Sequence, residues 1–103
     1  MKLEINKKEY EVKLNLRSYF IFEQITKKPF SLTNMFDEYI LFYSCLLSGN
    51  KDFDLSFDDF ITYMDDRQDL FIEFLNYITE EQKRKSLFKD DEEDKKKVTE
   101  EKS

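Results

Sequence analysis

The chain has no histidine and no tryptophan, and only one cysteine, one glycine and one proline in 103 residues. Without histidine, the commonest general base and zinc ligand are missing, as is every Ser-His or Cys-His nucleophile. One glycine cannot build a phosphate-cradling loop. Enzymatic chemistry is therefore not expected, and no catalytic, cofactor-binding or metal-ligating residue is assigned. The lone Cys45 excludes an internal disulfide and fits a reducing compartment. It lies in the apolar run "YILFYSCLL", with no basic side chain nearby in sequence to activate it, and reads as an inert buried thiol. No apolar run approaches the roughly 20 residues that span a bilayer. The start, "MKLEINKKEY", is charged throughout and lacks the apolar stretch of a secretory signal. A soluble, intracellular protein without a membrane partner is expected.

What the chain does have is aromatic and acidic side chains. Eleven Phe and six Tyr contribute to a hydrophobic fraction of 40%. That suffices for one small domain, although a chain this short buries only about 60% of its unfolded surface. The net charge of −6 is unevenly spread. Residues 1–30 carry seven Lys/Arg against four Glu, whereas residues 31–79 carry Lys51 and Arg67 against ten acidic side chains. Such a middle segment repels phosphates, so nucleic acid is not an expected partner.

Hydrophobic periodicity predicts an α+β, mainly α fold. Leu3 and Ile5, then Tyr10, Val12, Leu14 and Leu16, alternate with polar residues around "NKKE", which predicts a β-hairpin over 2–16. Asn6 or a lysine takes the positive φ of its turn. "RSYFIFEQIT" predicts a short helix over 17–26, with Phe22, Ile21 and Ile25 on its apolar side, ended by Pro29. Ser31 or Thr33 is a candidate cap for a second helix over 33–48. Its stripes, Phe36–Ile40–Tyr43–Leu47 and Met35–Tyr39–Phe42–Leu46, predict a central, mostly buried element. Phe57, Phe60, Ile61 and Met64, then Phe71, Phe74, Leu75 and Ile78, predict helices over 57–65 and 68–84. The domain thus spans 1–85, as a hairpin packed on about four helices. "SLFKDDEEDKKKVTEEKS" is almost wholly charged and predicts a disordered tail over 86–103.

The stretch "SGNKDFDLSFDDF" has the alternating oxygen-bearing side chains of a calcium loop. Such a loop needs glycine at position 6 and glutamate at position 12. Counting from Asn50 gives Leu55 and Ile61, and counting from Asp52 gives Phe57 and Tyr63. No metal site is assigned. The stretch reads better as helix punctuation: Gly49 and Asn50 close one helix, either in the left-handed conformation, and Ser56 with Asp59 opens the next. The carboxylate pairs Asp58–Asp59, Asp65–Asp66 and Glu80–Glu81 are adjacent in helices, point apart, and read as a solvated acidic face.

The order of these segments resembles the tail assembly chaperones of long-tailed bacteriophages. The likeness covers about residues 1–78 and rests on the short hairpin, the first helix ending in Glu23 and Thr26–Lys28, the aromatic helix through Tyr43–Leu47, and the helix start at Leu55–Asp59. Lys7 and Lys27 stand where that pattern typically has glycine. The resemblance implies a non-enzymatic chaperone of the host bacterial cytoplasm, absent from the mature virion. Its implied partners are the tape measure protein and the tail tube protein, with self-association a further option. It also implies a longer, frameshifted product in many relatives.

Aromatic and aliphatic residues off the helical stripes are the candidate partner-binding positions. Leu41 shares a helix side with Asp37 and Ser44, Tyr63 lies with Asp59 and Asp66, and Tyr77 lies with Glu73. Ile72 is off the Phe71–Ile78 stripe, and Phe53 is in the acidic loop. Exposed apolar groups amid carboxylates would suit capture of apolar, partly basic helices. The alternatives are an acidic nucleic-acid mimic that inhibits a host DNA-binding enzyme, and a calcium sensor.

Overall fold

The computed structural model describes residues 1–96, with side chains described through Arg84. Within them the chain is an N-terminal antiparallel hairpin packed on four helices. Strands β1 (Lys2–Ile5) and β2 (Lys8–Glu11) pair in the register Lys2↔Glu11 to Ile5↔Lys8. Their two-residue loop has φ of 54° at Asn6 and 67° at Lys7. Positive φ at both positions is the turn whose twist matches that of the flanking strands. Leu3 and Ile5 point into the core, and Val12 and Leu14 continue the buried side beyond β2.

Helix α1 (Leu16–Thr26) begins earlier than the alternation implied. Asn15 accepts from the Ser18 N–H at 2.9 Å, and the Asn15 N–H donates to Ser18 Oγ at 3.0 Å, so a reciprocal cap starts the helix one residue after Leu14 turns inward. Leu16, expected as the last inward strand residue, is instead the first helical one and is 67% exposed. The helix ends at Lys27, whose φ of 62° and N–H bond to the Glu23 carbonyl close the last turn before Pro29.

Helix α2 (Met35–Gly49) is the central element, packed on by α1, β2 and α4. Its cap is Asn34 rather than the expected Ser31 or Thr33, and accepts from the Asp37 N–H at 2.8 Å. Thr33 has a different task. Its N–H (3.1 Å) and hydroxyl (2.8 Å) both donate to Asp37 Oδ2, which also meets Lys28 Nζ at 3.2 Å. These donors satisfy a carboxylate whose side chain is only 2% exposed.

At its other end α2 closes without a left-handed residue, contrary to expectation. No glycine has positive φ, and Asn50 is extended at φ −139°. Gly49 serves close approach instead: an added Cβ would collide with the carbonyl oxygen of Glu11 on β2. Asn50 caps through its side chain, with Nδ2 donating to the Leu46 carbonyl at 2.9 Å.

Helices α3 (Phe57–Asp65) and α4 (Gln68–Lys96) complete the domain. Ser56 caps α3, its hydroxyl accepting from the Asp59 N–H at 3.1 Å. The core between α2, α3 and α4 is aromatic. Phe42 stacks on Phe74 with ring centres 4.3 Å apart, Tyr39 stacks on Phe71 at 4.0 Å, and Phe60 meets Phe42 edge-on at 5.1 Å. Such pairs add about 0.5–1.5 kcal/mol each to area burial. Helix α4 runs past its expected end at residue 84, so the backbone of 86–96, expected as disordered tail, is helical. That segment has no Gly or Pro and is rich in the good helix formers Glu and Lys. The rest of the expected tail, residues 97–103, lies outside the described residues.

Candidate functional site: an acid-rimmed apolar face

The five sequence-predicted partner-binding residues do not converge. Leu41 is fully buried, because α2 is packed on several sides and its Asp37–Leu41–Ser44 side lies inside the protein. Phe53 is also buried, at 8% exposure. The loop after α2 folds back, and the ring packs edge-on against Tyr10 (5.1 Å) and Tyr43 (5.7 Å). The Tyr43 hydroxyl fixes that loop by donating to the Leu55 carbonyl at 2.6 Å. These two residues are corrected to core.

Tyr63 and Tyr77 are half-buried and their hydroxyls are engaged in the fold. Tyr63 donates to the Glu4 carbonyl at 3.2 Å and accepts from Arg67 at 3.4 Å, tying α3 to β1. Tyr77 accepts the Leu14 N–H at 3.1 Å, and its burial raises the phenol above its ordinary value. Of the five, Ile72 alone is largely exposed, at 57%.

A more coherent surface lies at the start of α2. The Asn34 cap and the buried Asp37 set the direction of its first turn, which leaves Met35 and Phe36 64% and 60% exposed. Phe36 touches Phe57 of α3 edge-on at 6.1 Å. Beside them Met35, Tyr39, Ile61, Met64, Asp65, Gln68 and Phe71 line a cleft of about 240 Å³ between α2, α3 and α4. Burial, and secondarily the charge of Asp65, holds the Tyr39 phenol above its ordinary value, so it stays neutral at physiological pH. Asp65 supplies the negative charge of the cleft and has no cationic partner among the described residues. A floor of two methionines and aromatic rings, closed at one edge by a free carboxylate, is chemically a receptor for an apolar side chain next to a basic one.

Sequence reading assigned Met35 and Phe36 to the core because they fall on the α2 stripes. The available signal was their place in the first helical turn, beside the Asn34 cap.

One other groove competes less well. A larger open groove of about 550 Å³ between the hairpin turn and α3 is lined by Asn6, Leu55, Asp59, Thr62, Tyr63, Asp66 and Arg67. Its guanidinium is already held by Asp69 at 2.9 and 3.0 Å. Among the described residues, no three His, Cys, Asp or Glu side chains are grouped to hold a metal, and no helix is long and apolar enough to cross a membrane. No family model, curated protein or solved structure matches this chain.

Proposed function

We propose that this chain is a non-enzymatic tail assembly chaperone of a long-tailed bacteriophage, acting in the host bacterial cytoplasm on the tape measure and tail tube proteins. The observation that carries the reading is the Met35–Phe36 face with its cleft ending in Asp65. It offers apolar contact to an aggregation-prone segment, and flexible methionine suits clients of varied shape. A second observation supports the resemblance. Lys7 and Lys27, which stand where the chaperones typically have glycine, have φ of 67° and 62°, the backbone geometry that glycine favours.

Co-expression tests the proposal. A tape measure protein from the same phage should gain solubility and co-purify with the wild-type chain, while Phe36→Ser and Met35→Ser should weaken both effects and leave the fold intact. A tape measure protein that stays insoluble, or that is rescued equally by both variants, overturns it. Mass spectrometry of purified virions should find the chain absent.

A further inference from the structure

The exposed apolar residues Leu16 and Phe20 of α1 form a second surface, whereas Ile25, exposed at the far end of the helix, lines a groove with Phe36. Helix α1 buries only Ser18 and Phe22. Phe20, two positions from Phe22, points roughly the opposite way on a helix that turns about 100° per residue. It is 55% exposed, and Leu16, one turn earlier, is 67% exposed. With Arg17, Ile21 and Gln24 they line an open groove of about 470 Å³ along the helix.

The one charged side chain that lines this groove is basic. Arg17 is exposed and has no carboxylate partner among the described residues. Lys13 and Lys27, at the two ends of α1, are also exposed. The helix's one acidic side chain, Glu23, is half-buried and accepts the Phe30 N–H at 2.8 Å. The result is an apolar ridge beside a cation without an ion-pair partner among the described residues, on a chain of net charge −6.

We propose that the solvent-facing side of α1 is a second docking surface, and that its occupant is an acidic amphipathic helix of another protein. The groove runs along Leu16, Phe20 and Gln24, a row at spacing four, and such rows are the ridges that pack into the grooves of a second helix. Arg17 selects a carboxylate beside that ridge. The rival occupant is a second copy presenting its own acid-edged Met35–Phe36 face, and the association state of the wild-type chain decides between the two. The surface is independent of the tail-chaperone reading and persists if that reading fails.

The test uses two fluorescein-labelled synthetic helices of about 18 residues with the same leucine stripe, one carrying Glu and the other Lys on its polar face. The Glu peptide should bind the full chain, shift amide NMR signals within 16–24, and weaken with salt. Phe20→Ser and Arg17→Glu should each lower its affinity about tenfold and leave Lys-peptide binding near Met35 unchanged. Both positions are exposed, and circular dichroism checks that the variants fold. Ile72→Ser should have no effect on Glu-peptide binding. The proposal is overturned if the Glu peptide does not bind, shifts signals elsewhere, or binds Arg17→Glu as tightly as the wild type. It is equally overturned if the wild-type chain self-associates and Phe20→Ser abolishes that association, which would make the occupant a second copy.

Discussion

The side-chain amide of Asn50 pairs with both backbone groups of Glu11, as a neighbouring strand would: Oδ1 accepts the N–H at 3.1 Å and Nδ2 donates to the carbonyl at 2.7 Å. One side chain thereby covers part of the outer edge of β2 and caps α2 through Leu46, joining hairpin and central helix. Asn50→Ala should cost about 1–3 kcal/mol, because it leaves polar groups in a partly buried junction short of partners. Asn50→Asp keeps one acceptor but sets a carboxylate against two carbonyls, so it should cost at least as much. Urea unfolding measures both, and near-wild-type stability for the aspartate variant would contradict this role.

Gly49 makes an opposite-sign prediction to the usual rule. Replacing a helical glycine with alanine ordinarily stabilises by about 0.5–1 kcal/mol. Here the new methyl would collide with the Glu11 carbonyl oxygen and meet its carbon at 3.0 Å. Since that backbone is held by Asn50, Gly49→Ala should destabilise by about 1–3 kcal/mol. A thermal midpoint that rises in this variant would show that the hairpin shifts freely, and would refute the close-approach argument.

At Lys7 and Lys27 the sign reverses. Both residues hold left-handed backbone, at φ 67° and 62°, which costs an ordinary residue about 1–2 kcal/mol. Lys7→Gly and Lys27→Gly should each stabilise by about 0.5–1 kcal/mol after the extra freedom of glycine in the unfolded chain is subtracted. Chemical denaturation reads the gain as a higher midpoint, and a loss at either site would contradict the strain assigned to it.

The elements were legible because their signals are local. The interval 57–65 predicted from Phe57, Phe60, Ile61 and Met64 matches α3, and the α4 start at residue 68 was likewise readable. Capping was only partly readable. Ser56 acts as expected, but Asn34 rather than Thr33 caps α2, because the hydroxyl and N–H of Thr33 are drawn to buried Asp37. Exposure was the least legible property. Phe53 stands among aspartates in sequence, yet its ring lies between Tyr10 and Tyr43, partners distant along the chain. Phe36 lies on an apolar stripe, yet it meets Phe57 only edge-on and stays 60% exposed. Both outcomes depend on tertiary packing, which periodicity within one helix does not encode. The apparent surplus of aromatic residues has the same explanation, since most of those in α2, α3 and α4 interlock with one another.

Asp37 sets a pH dependence. The Thr33 N–H bond first, then the Thr33 hydroxyl and Lys28, hold its carboxyl below the ordinary carboxylate value. A depressed folded-state pKa means the contribution is fully present above the unfolded value of about 3.9 and is lost as pH falls through the folded value. Asp69 shifts the same way through Arg67, but that pair is solvent-exposed and contributes little. Stability should therefore decline below about pH 4 mainly through Asp37. Asp37→Asn should be less stable than the wild type at pH 7, with the difference narrowing as pH falls towards 3. Urea midpoints across this range test it, and a difference that stays constant or widens in acid would show that the carboxylate charge is not what anchors the Lys28–Thr33 segment to α2.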